Sequence, residues 1–163
     1  MAKFDLIGLG NALVDSEFQV TDSFLKKKGF EKGTMHLVDS DEQTNLLNSL
    51  EKEYGKPSLA CGGSATNTIF AASILGSSCS YICKVGNDKN GNFYLDDLSD
   101  AGVNIDHSVM LDSNANSGTC TVMVSPDAER TMSTCLGISS DLSATDVADE
   151  IFTYVLRDMK YEK

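Results

Sequence analysis

The chain is 163 residues long, 41% hydrophobic and 23% charged, with 24 acidic against 13 basic side chains and a formal net charge of -11. That length and composition predict one globular domain with a single sizeable core. The acidic excess argues against a nucleic-acid or anionic-membrane surface, because phosphate recognition concentrates Lys and Arg. The five cysteines (61, 79, 83, 120 and 135) form no CxxC pair and only two histidines accompany them. Such a set argues against a metal site and for reduced thiols in a cytoplasmic protein. Met1-Ala2-Lys3 leads straight into a strand-like run, so no signal peptide is expected, and no apolar run is long enough to span a membrane.

Residues 4 to 10, Phe-Asp-Leu-Ile-Gly-Leu-Gly, predict a short buried first strand. The Gly8-x-Gly10 that ends it lacks the third glycine and the following helix of a dinucleotide fingerprint. Instead Glu17-Phe18-Gln19-Val20 alternates like a strand. Thr21-Asp22 caps a short helix through Lys28 that ends at Gly29, and residues 33 to 38 form a second short strand. Asp39 or Ser40 caps a helix through Tyr54 with Leu46, Leu47, Leu50 and Tyr54 on its apolar stripe, closed by Gly55 and Pro57. His36 falls on the alternating strand, where a structural role suits it best.

Next comes Ala60-Cys61-Gly62-Gly63-Ser64-Ala65-Thr66-Asn67, which predicts strand, glycine turn and helix. Ser64 and Thr66 offer N-cap chemistry, apolar residues at 69, 70, 74 and 75 give a helical stripe, and Gly76 suits an αL ending. Such a turn presents backbone N–H groups and the positive end of a helix dipole to whatever sits above it, although an ordinary strand-to-helix turn reads the same way. Residues 78 to 85 form a strand, 86 to 91 a turn, and 92 to 101 a helix ending at Gly102. A hairpin follows, residues 118 to 124 and 130 to 135 around Pro126, with an acidic helix expected from Ser143. Repeated strand–helix alternation argues for α/β architecture with a parallel sheet and helices on both faces.

Gly62-Gly63-Ser64-x-x-Asn67, with the helix ending Leu75-Gly76, resembles the N-terminal signature of the ribokinase-like (PfkB-type) kinases of sugars and nucleosides. Three further blocks resemble the same family: Gly10-Asn11-x-x-x-Asp15, Val85-Gly86-x-Asp88-x-x-Gly91 and the hairpin carrying Arg130 just past its turn. Ser64 resembles the adenosine-kinase branch more than ribokinases. The likeness runs from residue 4 to about 152, and residues 153–163 do not match it.

The resemblance implies a doubly wound, mainly parallel sheet, here its N-terminal half, with a small β-sheet lid from strands at about 17–38 and 118–135. It implies that Asn11 and Asp15 hold ribose hydroxyls, that Gly62 and Gly63 let the sugar approach the backbone, and that Ser64 and Asn67 add hydrogen bonds. Arg130 would reach in from the lid, with Leu13 and Cys120 as walls for a nucleobase. Taken singly, Asn11 and Asp15 suit a surface loop, and Arg130 suits a solvated hairpin paired with Glu129.

The family reaction moves the γ-phosphoryl of Mg-ATP to a primary hydroxyl, the 5′-OH in nucleosides. Its Gly-Ala-Gly-Asp motif, which supplies the anion hole and the catalytic Asp, is absent from the sequence, as are its Asn-x-x-Glu motif and any phosphate loop. No catalytic residue and no ATP or Mg2+ ligand is therefore assigned, and the chain alone is expected to be inactive. Three readings stay open: a fragment of a kinase, a frame-disrupted product, or a genuine short protein that binds a nucleoside or sugar without turnover. In the last, lid strands could pair two copies through their edges.

Overall fold

The structure, a computed structural model, describes residues 4–106, 108–111 and 115–147. The chain begins with β1 (Leu6–Leu9), β2 (Leu13–Gln19), α1 (Asp22–Lys28), β3 (Met35–Leu37), α2 (Ser40–Tyr54) and β4 (Ser58–Gly62). It continues through α3 (Ser64–Ile74), β5 (Cys79–Ile82), β6 (Lys84–Gly86), α4 (Lys89–Asp100), β7 (Val109–Leu111), β8 (Gly118–Val124) and β9 (Arg130–Cys135). The architecture is α/β. β1 pairs with β5 and β6 with β7, both in parallel, and α3 packs on β1 and β5.

The second layer is larger than the sequence suggests. β3-β9-β8-β2-β4 form one five-stranded mixed sheet. Two elements enlarge it. β2 starts at Leu13 rather than at residue 17: Ala12, Val14, Ser16, Phe18 and Val20 all point into the protein, and the buried Ser16 hides that alternation from a hydrophobicity reading. β4, the strand leading into the glycine pair, joins this sheet antiparallel to β2.

Two cores fill the space behind these layers. Ile69, Tyr81, Val85, Tyr94, Leu98 and Val103 pack between the parallel strands, α3 and α4. Phe18, Phe24, Leu25, Leu46, Leu50 and Met123 pack between the outer face of the mixed sheet and α1 and α2. Gln43 fastens α2 to that face: its amide donates to Thr121 Oγ1 at 3.0 Å and to the Ser133 carbonyl at 3.2 Å, and its oxygen accepts from Ser133 Oγ at 3.0 Å. A buried polar side chain satisfied this fully specifies one seating of the helix.

Caps fix the helix ends. Thr21 Oγ1 accepts from Phe24 N, and Gly29 closes α1 in the left-handed region. Asp39 and Glu42 form a reciprocal capping box on α2, the Asp39 carboxylate accepting from Glu42 N at 2.8 Å. Replacing Asp39 with Ala should cost about 1 kcal/mol of stability, read as a lower urea midpoint with an unchanged slope. Loss below a few tenths of a kcal/mol would show that the cap contributes nothing.

Several predicted bounds shift. The strand expected over 78–85 divides at Cys83, because β5 pairs with β1 whereas β6 pairs with β7. α4 begins at Lys89, three residues before the predicted start, since Asp88 caps it by accepting from Gly91 N at 2.7 Å. Neither Ser64 nor Thr66 caps α3: Gly63 is the N-cap, with no side-chain cap bond. Ile74 and Leu75, expected on the buried stripe, are 65% and 86% exposed, because α3 meets the core through Thr66 and Ile69 near its start. From Ser143 the chain forms a 3-10 turn at Ala144–Asp146 rather than a helix. The remainder of that expected helix and the unmatched residues 153–163 lie outside the described residues. Among those residues no helix is long and apolar enough to cross a membrane. His36 takes a structural role, bonded to Thr34 Oγ1 at 2.7 Å and edge-on to Phe30.

Candidate functional site

The inner face of the mixed sheet and the start of α3 enclose a hollow of about 550 Å3. Strand alternation decides which side chains reach it. Leu13 and Asp15 on β2, Cys120 on β8, Arg130, Met132 and Thr134 on β9, and Met35 and Leu37 on β3 share the inner face. Asn11, from the β1–β2 connection, and Gly63, Ser64 and Asn67, from the opening of α3, complete the opposite wall. Eight of the nine residues singled out in the sequence thus line one hollow although up to 119 positions separate them in the chain (Asn11 to Arg130).

Gly62 is the ninth, and its place differs. It is buried at the end of β4 and is absent from the lining. A Cβ on Gly62 would lie 2.1 Å from Asp15 Oδ1, so the missing side chain makes room for the Asp15 carboxylate rather than for a ligand. Gly63 has φ +105°, a conformation L-residues rarely adopt, and a Cβ there would sit 2.9 Å from the Asn11 carbonyl oxygen. The glycine pair therefore joins the Asn11–Asp15 segment closely to the start of α3.

Electrostatics single out Asp15. Burial pushes its pKa above the ordinary 3.8, the Arg130 guanidinium pulls it back down, and Glu17 adds a smaller upward push. No hydrogen bond from another described residue reaches the carboxylate, and Arg130 forms no ion pair among the described residues, with Glu129 or with any other acid. A half-buried carboxylate without a protein partner, facing a cation across a hollow, is poised to accept hydrogen bonds from a polyhydroxylated ligand. Cys120 is buried beside it and accepts from Thr134 Oγ1 at 3.3 Å; burial raises its pKa, so the thiol is a neutral wall rather than a nucleophile.

The sequence reading missed an apolar stretch of the lining formed by Met35, Leu37, Met132 and Leu136. Met35 and Leu37 are 54% and 64% exposed, unusual for large apolar side chains on a strand. Their period-two spacing around His36 was the available signal, and only the parallel pairing of β3 with β9 shows that they flank Asp15's hollow. Tyr81 was missed as well, because it reaches the site from β5 across the core.

Asp88 is shielded in a different way. Burial works against its ionisation, but the N–H groups of Ser117 and Gly91 and the Ser117 hydroxyl outweigh it, leaving its pKa lowered. Its bonds to Ser117 N and Oγ, both 2.8 Å, tie the start of α4 to the loop that leads into β8. Asp88 is thus a structural carboxylate.

Residues 34–156 match the pfkB family carbohydrate kinase pattern. The chain is 30% identical to adenosine kinase 2 of Arabidopsis thaliana over 122 residues, 73% of this chain and 34% of that one. Among solved structures it is similar to the adenosine kinase of Sinorhizobium meliloti, with TM-score 0.81 and 35% identity over 92% of this chain and 44% of that one. A probable sugar kinase from Rhizobium etli CFN 42 superposes with TM-score 0.82 and 31% identity, covering 93% and 44% respectively. The chain therefore spans about a third of the curated relative's length and under half of each solved structure's.

Proposed function

Because the chain belongs to the pfkB family of carbohydrate kinases, we propose that it is the acceptor-binding portion of an ATP-dependent kinase whose substrate is a nucleoside, phosphorylated on its 5′-hydroxyl. The observation that carries the reading is the pairing in one hollow of a carboxylate, Asp15, that accepts no hydrogen bond from the other described residues, with an apolar wall. A bare sugar has use for the first alone; a nucleoside uses both. Relatives named adenosine kinase at 30% and 35% identity support the choice of nucleoside over sugar.

In this reading Asp15 accepts from the vicinal ribose hydroxyls, Asn11 and Asn67 donate and accept beside it, and Ser64 bonds at the first turn of α3. The N–H groups of that turn and its dipole favour electronegative atoms of the ligand. Leu13, Cys120, Met35 and Leu37 cover the base, and Arg130 closes over the ligand from the β8–β9 hairpin. Discrimination follows from the cost of leaving buried polar groups unpaired when a hydroxyl is missing.

Mg-ATP supplies the phosphoryl group and its charge neutralisation in kinases of this kind. Among the described residues no cluster of three carboxylate, imidazole or thiol groups is arranged for a metal, and the sequence has no Gly-x-Gly-Asp. No step of transfer is assigned to these residues. The proposal is accordingly that the chain binds its acceptor without turning it over. A second copy pairing along the outer strands β3 or β4 belongs to the same proposal, since both leave an unpaired edge among the described residues.

Calorimetric titration with adenosine, inosine and D-ribose tests the assignment. Saturable nucleoside binding at least tenfold tighter than ribose binding is expected, with no product in a coupled assay containing ATP and adenosine. Equal affinity for ribose would transfer the proposal to a sugar, and no binding of any of the three would remove it. Sedimentation of the same sample as monomer at all concentrations would remove the paired copy.

A further inference from the structure

The first turn of α3 is held in an unusual way. Helices are commonly fixed at their start by a side-chain oxygen at the N-cap, yet the cap here is Gly63, with no side-chain cap hydrogen bond among the described residues. Beneath it lies a buried knot of three hydroxyls, one from α3 itself and two from other elements, β5 and α4. Thr66, the third residue of α3 and fully buried, is hydrogen-bonded to Tyr81 Oη of β5 at 2.8 Å and shares a short hydrogen bond with Tyr94 Oη of α4. Tyr94 Oη in turn donates to the carbonyl of Gly62 at the end of β4, at 3.2 Å. Gly10 lies against the same knot: a Cβ there would be 2.8 Å from Tyr81 Oη.

We infer that Thr66, Tyr81 and Tyr94 are positioning residues for the ligand site, setting the direction of α3's first turn from below so that its upper face stays open to the ligand. The inference rests on the proposed acceptor site. Three observations support it. The knot bonds the start of α3, which carries Ser64 and Asn67, to Gly62 at the end of β4, and Gly10, next to Asn11, lies against it, so a shift at Thr66 moves the wall of the hollow that faces the mixed sheet. A Cβ at Gly63 would fall 3.1 Å from Thr66 Oγ1, so the turn packs closely on that hydroxyl. Burial pushes both tyrosines above their ordinary pKa, keeping the hydroxyls neutral and able to donate. Each of the three hydroxyls is satisfied inside the protein, and such a satisfied network rigidifies the groups it joins.

The experiment compares Thr66→Val, Tyr94→Phe and the milder Tyr81→Phe with Thr66→Ser, in the full chain and at a temperature where each is folded. Two quantities are read: adenosine affinity by calorimetry, and amide exchange over Asn67–Ile69 without ligand. Thr66→Val and Tyr94→Phe should weaken adenosine binding roughly three- to tenfold, the equivalent of one ordinary hydrogen bond. They should also speed exchange at Asn67, whose N–H bonds the Gly63 carbonyl at 3.0 Å, while Thr66→Ser restores both. Leu46→Ala, a remote core variant matched for loss of melting temperature, should leave affinity unchanged. Affinity retained by both variants overturns the inference, as does lost affinity with exchange unaltered, or an equal loss in Leu46→Ala. If the unsubstituted chain binds no nucleoside, the site assignment fails by itself, and exchange at Asn67 alone decides for or against the positioning role.

Discussion

Asp15→Ala should weaken adenosine binding by about a hundredfold or more. Two hydroxyls donating to a charged acceptor contribute roughly 1.5 kcal/mol each at the low end, and every ~1.4 kcal/mol is a factor of ten. No other carboxylate lines the hollow among the described residues. Asp15→Asn should retain part of the affinity, because an amide oxygen still accepts but without charge.

The same residue links binding to pH and stability. Its folded pKa is raised, chiefly by burial, so the ionised form is disfavoured by folding. The sign follows: the stability cost is present in full above the folded pKa and disappears as pH falls below the unfolded value of 3.8. Asp15→Asn should therefore melt higher than the unsubstituted chain near neutral pH, with the gap closing on acidification. Adenosine affinity should decline on acidification earlier than an ordinary carboxylate would allow. A lower melting temperature for Asp15→Asn at neutral pH, together with unchanged binding, would leave Asp15 without a role.

Gly62→Ala is the second large effect, and it acts through Asp15. The added methyl carbon would lie 2.1 Å from Oδ1, 2.5 Å from Cγ and 2.8 Å from Oδ2. The backbone tolerates the change, since Gly62 is not among the positive-φ glycines, so the carboxylate must swing away. Overpacking of this kind costs about 1–3 kcal/mol of stability, but the loss in affinity should approach that of Asp15→Ala. Gly63→Ala should do the reverse. Its φ of +105° makes any side chain strained by roughly 1–3 kcal/mol, so stability should fall first. A double-mutant cycle separates the two: in an Asp15→Ala background, Gly62→Ala should cost no further affinity. Additive losses would mean that Gly62 meets the ligand directly.

Much of the local structure was legible in the residues. Thr21 and Gly29 bounded α1, and Asp39, Leu46 and Leu50 gave α2 its cap and stripe. Pro126 with its flanking alternation gave the β8–β9 hairpin at its observed bounds, because turn chemistry and period-two patterning are local signals. Thr66 marks where that kind of reading fails. At the start of a helix it looks like a cap, whereas it is fully buried against two tyrosines, 15 and 28 residues further along the chain.

The sequence by itself determined the family, the bounds of α1 and α2 and the set of polar residues around which a hydroxylated ligand can be argued, since each is written in short local motifs. Only the tertiary structure decided that β4 joins the mixed sheet, that Met35 and Leu37 face the same hollow as Asp15, and that Gly62 lies against the Asp15 carboxylate. The reason is strand pairing. Register between β2, β4, β8, β9 and β3 is set by contacts up to about a hundred residues apart, and a one-residue slip would turn every one of those side chains to the opposite face.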